Sequence, residues 1–308
     1  MTGAAELPHL GLSGLSSLLS PKKAMLAMRL VAAGKAPEVR EFERQGLTLS
    51  EAESDLLATW LVSGLATKVR EETRSLDGTI KLLLELADGK KVETVAMPVG
   101  ACCVSSQVGC AVGCKFCASG LFGVERHLTT DEIVEQVVHA RRLMRIDRVV
   151  FMGMGEPSHN LDNVLAAVAR IKDEVLISPR RQTLSTIGSV GAVERIRGAS
   201  VRPCLALSLH TADEALRREL LPRAHQDPLR DIVAAADAYG RDIGTPVQFE
   251  WTLLRGINDR DEDVDQLCDL LAGVRGYVNF IVANPVAGLP DQAPDRDRTV
   301  ALTRALHA

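Results

Sequence analysis

Three cysteines close together in the middle of the chain are the residues whose types and spacing point most directly to chemistry. Cys110, Cys114 and Cys117 follow a C-x3-C-x2-C spacing. Thiolates are soft ligands that select iron–sulfur clusters, zinc or Cu(I). A cubane 4Fe-4S cluster normally takes four Cys, so three thiolates would leave one iron open to a small molecule. The spacing is too tight for a helix or a strand, which predicts a loop wrapped around a cluster and shielded from water by Phe116.

Two other interpretations of the three thiols explain the pattern less well. Zinc knuckles combine C-x2-C pairs with further ligands, and the sequence has no second pair. A disulfide loop is not expected, because the chain shows no secretory signal. We therefore predict that these thiols hold a 4Fe-4S cluster.

Composition predicts a globular protein that is large enough for a barrel-type domain with a small appendage. The chain has 308 residues, of which 46% are hydrophobic and 25% are charged. No apolar run approaches the length of a membrane span, so we expect no membrane partner and a cytoplasmic location, where thiols stay reduced. The formal net charge of −4 offers no overall excess of positive charge for nucleic acid.

Hydrophobic periodicity divides the chain into three predicted segments. Residues 1–66 have helical spacing and form a helical accessory domain. Residues 67–98 contain short strand-like segments that are separated by turn residues, which predicts a short antiparallel β meander. Residues 99–308 alternate strands with helices, which predicts an α/β fold with a partial, open, six-stranded βα barrel. The six predicted strands are Cys102–Ser105, Arg148–Met152, Gln182–Thr186, Cys204–Leu209, Val247–Leu254 and Asn279–Ala283.

Small and polar residues follow several of these strands. The functional groups of βα barrels lie at the carboxyl ends of the strands. After the first strand comes the three-cysteine loop, and after the others come Gly153–Pro157, Ser185–Gly188, Ser208–His210 and Asn284-Pro285. Each segment alone is a weak signal, since a single histidine is more often an interior residue than a ligand. Their common position at one edge of the predicted barrel is what indicates a binding site.

The cysteine loop resembles that of radical S-adenosylmethionine (SAM) enzymes. In that superfamily the amino and carboxylate groups of SAM chelate the open iron, and reductive cleavage yields a 5′-deoxyadenosyl radical. Gly153–Glu156 resembles the glycine-rich segment that holds the methionyl amine. The resemblance implies a 4Fe-4S cluster and SAM as cofactors, and a flavodoxin- or ferredoxin-type protein as reductant.

A closer resemblance is to the RlmN/Cfr family, and it runs from about Asp77 to Pro290. The motifs that carry it include Val104–Cys110, Met152–Pro157, Thr183–Thr186 and Leu207–His210. These enzymes methylate an adenine carbon, C2 or C8, of 23S ribosomal RNA, and some also act on transfer RNA. The resemblance implies that the cofactor pocket is lined by Gly155, Glu156, Ser185, Ser208, Leu209, His210 and Asn284. It also implies that Glu93 accepts a proton and that Cys103 resolves a protein–RNA adduct.

Two features depart from the RlmN/Cfr pattern. The methyl-carrying Cys of the family lies after the closing helix, whereas here no Cys follows Cys268, which is expected to be a buried structural thiol. Residues 1–100 carry 12 Lys and Arg against 13 Asp and Glu, a weak electrostatic footprint for RNA. An alternative function is therefore a radical SAM enzyme that acts on a small molecule of the natural-product type without the methyl-Cys route. A third is a non-catalytic relative that binds the cluster and RNA or a partner.

Overall fold

The computed structural model describes residues 11–224, 227–283 and 293–306, apart from the side chains of Val62 and Ser63. Its helices are α1 (Leu15–Leu18), α2 (Pro21–Ala32), α3 (Val39–Glu43), α4 (Glu51–Ser63), α5 (Thr130–Arg141), α6 (Leu161–Arg170), α7 (Val190–Arg197), α8 (Glu214–Leu220), α9 (Leu229–Ile243), α10 (Asp261–Leu270) and α11 (Arg296–Ala305). Its strands are β1 (Thr67–Arg74), β2 (Ile80–Leu86), β3 (Lys91–Met97), β4 (Ala101–Cys103), β5 (Gln107–Gly109), β6 (Val124–His127), β7 (Arg148–Phe151), β8 (Gln182–Thr186), β9 (Cys204–Ser208), β10 (Val247–Leu253) and β11 (Gly276–Val282).

The α/β fold class is confirmed, as are the N-terminal helices and the meander β1–β3. The six strands predicted after residue 99 correspond to β4 and β7–β11, whereas β5 and β6 form a separate two-stranded sheet. The chain comprises two compact units, each built from non-consecutive segments. The division of the sequence at residues 66 and 98 stays a prediction. None of the helices in the described ranges is long and apolar enough to cross a membrane.

The first unit consists of Met1–Val108, His127–Gly153 and Asp162–Gln182. Its strands β1 to β4 pair antiparallel in sequence order, and β7 pairs parallel with β4. Side chains alternate between the faces of such a sheet. One face buries apolar residues such as Leu82, Leu84 and Val92, while the other carries Lys81 and Glu93.

Buried polar contacts fix the N-terminal helices within the first unit. The carboxylate of Glu135 on α5 accepts hydrogen bonds from Leu12 N at 2.9 Å, Ala66 N at 3.1 Å and Thr67 N at 2.9 Å. The Thr67 hydroxyl also donates to Glu135, at 2.8 Å, and lies 2.9 Å from His139 Nε2. Burial raises the pKa of Glu135 to about 7 and lowers that of His139 to about 4. Glu135 thus ties the chain before α1 and the start of β1 to α5.

The second unit consists of Gly109–Arg126, Met154–Leu161 and Thr183–Ala308. Its strands β8, β9, β10 and β11 lie in that order and all pair parallel. Large side chains such as Phe249, Trp251 and Tyr239 fill its core. Because parallel strands end at the same edge of a sheet, the segments that follow β8 and β9 meet there.

One expectation about cysteine burial is wrong. Cys268 is exposed on α10 and is not a buried structural thiol. The buried residues of this helix are Asp263, Val264 and Leu267. Cys268 lies one residue beyond Leu267, about 100° further around the helix, and so outside the buried stripe.

Candidate cluster and cofactor site

The loop that carries the three cysteines is closed by backbone hydrogen bonds within the second unit. Cys110 N donates to Gly123 O at 3.0 Å, and Cys117 N donates to Cys114 O at 3.1 Å. Gly109 and Gly113 have φ values of 74° and 70°, in the left-handed region that favours glycine. A Cβ on Gly109 would meet Gly123 O at 2.0 Å. Gly109 is therefore required where the loop closes.

Apolar side chains pack against the cysteine loop. Cys110 and Val112 belong to a buried cluster with Ile187, Leu220 and Leu221, and Cys114 and Phe116 pack against the same cluster. The ring of Phe116 lies edge-on to His210, with 4.9 Å between the ring centres. Lys115 N also donates to Leu220 O at 3.0 Å, which joins the loop to the end of α8.

The thiols of the loop lie close enough to affect one another electrostatically. Burial raises the pKa of Cys114, and the neighbouring Cys117, Cys110 and Glu156 raise it further. Burial also raises the pKa of Cys110. The three thiols are thus close enough to influence one another, and they must release protons when they bind metal.

A cubane is the kind of metal group that this donor set fits. Among the described residues, no three or more His, Cys, Asp or Glu side chains surround a single metal-ion position. A cubane requires no such arrangement, because each thiolate binds a different iron. Three neighbouring thiols on one loop that packs against apolar residues fit a 4Fe-4S cluster that keeps one iron open.

Glu156 joins the segments that follow β7 and β8. It is buried, and its Oε1 accepts from Ser158 N at 2.9 Å and from Thr186 Oγ1 at 2.5 Å, while its Oε2 accepts from Ile187 N at 3.1 Å. The preceding Gly155 has a φ of 99°, which favours glycine. The carboxylate is thus held by three donors in the second unit, near the cysteine loop.

Ser185, Ser208, Leu209 and His210 come together at the ends of β8 and β9. The hydroxyl oxygens of Ser185 and Ser208 lie 3.1 Å apart. Leu209 N and His210 N both donate to Glu250 O, at 2.9 Å and 3.2 Å. The sequence predicted this grouping, whereas Asn284 lies outside the described residues.

His210 is held in one orientation and one protonation state. Its φ of 62° is left-handed, and its Nδ1 accepts from Thr252 N at 3.0 Å. Since Nδ1 is the acceptor, the proton of the neutral ring lies on Nε2. Burial, followed by the charge of Arg217, lowers the pKa of His210 to about 3. His210 is therefore a neutral residue with a defined Nε2–H donor.

Glu93 and Cys103 lie in the first unit, on the same face of its sheet. Cys103 on β4 pairs with Val95 on β3, and Glu93 is two residues before Val95, so the two are diagonal neighbours. Lys81 Nζ lies 2.8 Å from Glu93 Oε1. Burial raises the pKa of Cys103 to about 11, although a hydrogen bond with the Met152 backbone lowers it. Cys102 points to the opposite face and is fully buried, as the alternation predicts.

Sequence reasoning missed three buried polar residues of the second unit. Glu250 accepts from Asn279 Nδ2 at 2.8 Å, and Asn258 Nδ2 donates to His210 O at 2.7 Å. Arg217 is buried, although the adjacent Arg218 on α8 is exposed. A charge inside the apolar strand β10 was the available signal for Glu250, whereas nothing in the sequence indicates the burial of Arg217.

Comparison with known proteins identifies the family. Residues 104–270 match the Radical SAM superfamily. A probable RNA methyltransferase of Stutzerimonas stutzeri is 44% identical over 265 residues, which cover 86% of this chain and 75% of that protein. A probable RNA methyltransferase of Aromatoleum aromaticum is 48% identical over 240 residues, 78% of this chain and 68% of that protein. The crystal structure of a radical SAM methyltransferase from Sphaerobacter thermophilus superposes with a TM-score of 0.82 at 32% identity, over 99% of this chain and 92% of that one.

The chain belongs to the Radical SAM superfamily, and within it to the family of these probable RNA methyltransferases. The predicted resemblance is thereby confirmed. The superfamily implies a 4Fe-4S cluster and SAM, which confirms both predicted cofactors.

Proposed function

We propose that this radical SAM enzyme methylates an adenine carbon, C2 or C8, of ribosomal or transfer RNA. The relatives named probable RNA methyltransferases support RNA as the substrate class. The observation that carries the adenine assignment is the placement of Glu93 and Cys103 as diagonal neighbours on one sheet face. These are the two positions to which the RlmN/Cfr resemblance gives substrate-directed roles.

The residues of the second unit have a cofactor-binding role in this proposal. Cys110, Cys114 and Cys117 hold the cluster, and Glu156 with the polar residues after β8 and β9 lines the SAM pocket. When bound, the cluster and SAM together supply a 5′-deoxyadenosyl radical. His210 contributes a neutral Nε2–H donor, and the buried apolar residues that pack against the cysteine loop exclude water.

The residues of the first unit act on the substrate. Cys103 carries its proton at neutral pH, because burial raises its pKa to about 11. It therefore needs a proton acceptor before it acts as a nucleophile. Glu93 accepts a proton, and Lys81 Nζ, 2.8 Å from Glu93 Oε1, holds its side chain in place. A flavodoxin- or ferredoxin-type reductant and a cytoplasmic location complete the proposal.

Transfer of a labelled methyl group tests the proposal. Anaerobically reconstituted protein is incubated with reductant, methyl-labelled SAM and protein-free ribosomal or transfer RNA. We expect label in adenine with wild type, no label in adenine with Cys103→Ala, and unchanged activity with the exposed-cysteine control Cys268→Ala. Formation of deoxyadenosine without label in any RNA would favour the small-molecule alternative.

Glu93→Gln tests the proton acceptor. We expect this variant to lose methyl transfer while it retains SAM binding. Glu85→Gln is the matched control, since Glu85 is a glutamate of the same sheet with an Arg70 ion pair of its own. Equal activity in the two variants would argue against the role of Glu93.

A further inference from the structure

Arg217 is a buried cation that no part of the proposed reaction uses. It lies on α8 and is only 4% exposed, whereas 58% of the side chain of the adjacent Arg218 is exposed. One of its terminal nitrogens donates to Ile187 O. No acceptor among the described residues lies within hydrogen-bond reach of its Nε. A buried guanidinium with an unused donor is costly unless a further partner is bound.

Helix α8 holds this guanidinium against the cysteine loop. Leu220 and Leu221 share a buried apolar cluster with Cys110, and Leu216 packs against the same cluster. Lys115 N donates to Leu220 O at 3.0 Å. Since Arg217 lies between Leu216 and Leu220 in the same short helix, these contacts fix its backbone beside the loop.

The charges around Arg217 are those of the cofactor site. Burial lowers its pKa, while Cys114, then Glu156 and then Glu214 raise it. Three thiolates make the bound cluster anionic, and its reduction adds one more negative charge.

Two further cations near the loop are less effective partners. Lys115 and Arg223 are both exposed, although Arg223 Nη1 donates to Ala111 O at 3.1 Å. Water screens the charge of exposed groups much more than that of buried ones. Arg217 is thus the better placed charge to act on the cluster.

We propose that Arg217 is the buried counter-charge of the cluster loop and raises the reduction potential of its cluster. This inference rests on the assignment of Cys110, Cys114 and Cys117 as ligands, and it is independent of the substrate. Arg217 acts through charge and position, so it is a tuning residue and not a catalytic one. A positive charge nearby favours the reduced cluster because that form is the more negative one.

A redox titration of the cluster tests this role without SAM or RNA. Wild type, Arg217→Gln, Arg217→Lys and the exposed neighbour control Arg218→Gln are reconstituted anaerobically. Their iron content is measured, and the signal of the reduced cluster is followed by electron paramagnetic resonance against potential. We expect Arg217→Gln to lower the equilibrium constant for one-electron reduction about tenfold, which is a shift of about 59 mV. Arg217→Lys and Arg218→Gln should remain close to wild type.

These outcomes distinguish an effect of the Arg217 charge from a purely structural role of this side chain. Equal reduction potentials for Arg217→Gln and Arg218→Gln would overturn the proposal. A reduction potential of Arg217→Lys as low as that of Arg217→Gln would also overturn it. If only the Gln variant fails to assemble a cluster while the Lys variant keeps the wild-type potential, the charge role is supported. If neither Arg217 variant takes up iron, the role is structural and the proposal is wrong. Wild-type protein without iron would instead refute the ligand assignment.

Discussion

His210 offers a test that separates a structural role from a cofactor-binding role at one residue. Its Nδ1 accepts from Thr252 N, so an alanine leaves that buried N–H without its partner. Such a loss costs about 1–3 kcal/mol, and loss of the ring pair with Phe116 costs about 1 kcal/mol more. We therefore expect His210→Ala to destabilise the protein by about 2–4 kcal/mol.

Asparagine keeps the structural contact and removes only the outer end of the ring. Its Oδ1 can occupy the position of Nδ1 and accept from Thr252 N, and asparagine tolerates the left-handed φ of 62°. It lacks the Nε2–H donor that we assign to SAM. His210→Asn should cost about 1 kcal/mol of stability, the value of the aromatic pair. It should nevertheless weaken SAM binding three- to tenfold, the effect of losing a hydrogen bond of about 1 kcal/mol.

Two measurements on the same protein samples decide the matter. Urea unfolding gives the stability of each variant, and anaerobic equilibrium dialysis gives its affinity for SAM. Because the pKa of His210 is lowered to about 3, wild-type affinity should not change through ionisation of this residue between pH 8 and pH 5. Wild-type SAM affinity in His210→Asn would refute the cofactor role, and equal destabilisation by Asn and Ala would refute the assignment of Nδ1 as acceptor.

Three further predictions concern stability and the loop. The folded pKa of Glu135, about 7, exceeds its ordinary value of 4.5, so its contribution is fully present below pH 4.5 and is lost as pH rises to 7, by about 3 kcal/mol in total. The free energy of unfolding of Glu135→Gln, measured with urea, should therefore rise relative to that of wild type between pH 5 and pH 7. A constant difference between the two proteins over this range would refute this. Gly109→Ala should prevent iron uptake, because its Cβ would meet the backbone oxygen of Gly123 at 2.0 Å. Gly123→Ala, whose Cβ would have nothing within 4 Å, should cost only about 1–2 kcal/mol of stability for its left-handed φ and should keep the cluster. Iron analysis of both variants checks this, and equal iron content in the two would contradict it. Tyr239→Phe should lose about 1 kcal/mol in thermal unfolding, since the hydroxyl donates to Pro203 O at 2.5 Å, and an unchanged midpoint would contradict this.

Elements with strong local patterns could be predicted closely from the sequence. The limits of β2 at Ile80 and Leu86 follow from alternation, and those of α7 at Val190 and Arg197 follow from helical spacing. The Ser-x-x-Glu spacing at Ser50 and Glu53 is typical of a capping box, and the box is present, since Glu53 N donates to Ser50 Oγ while Ser50 N donates to Glu53. Such features depend on neighbouring residues alone, which is why the printed sequence contains them.

The candidate site could be predicted where it consists of motifs and could not where it depends on tertiary packing. The grouping of Ser185, Ser208 and His210 follows from the common edge of parallel strands. The burial of Arg217 depends instead on how one short helix packs against the cysteine loop. The charge of Glu250 within an apolar strand is visible in the sequence, but the hydrogen bonds of its carbonyl oxygen with Leu209 N and His210 N cross between two strands and depend on tertiary packing.

The most direct test of the central claim is the iron content and visible absorbance of anaerobically reconstituted protein. Wild type is compared with a variant in which Cys110, Cys114 and Cys117 are all alanine, and with Cys204→Ala, a cysteine of the second unit outside the loop, as control. Wild type and control should each hold about four irons per chain, the content of one cubane, and the triple variant should hold none. Iron retained by the triple variant, or absent from wild type, would contradict a cluster held by these three thiols.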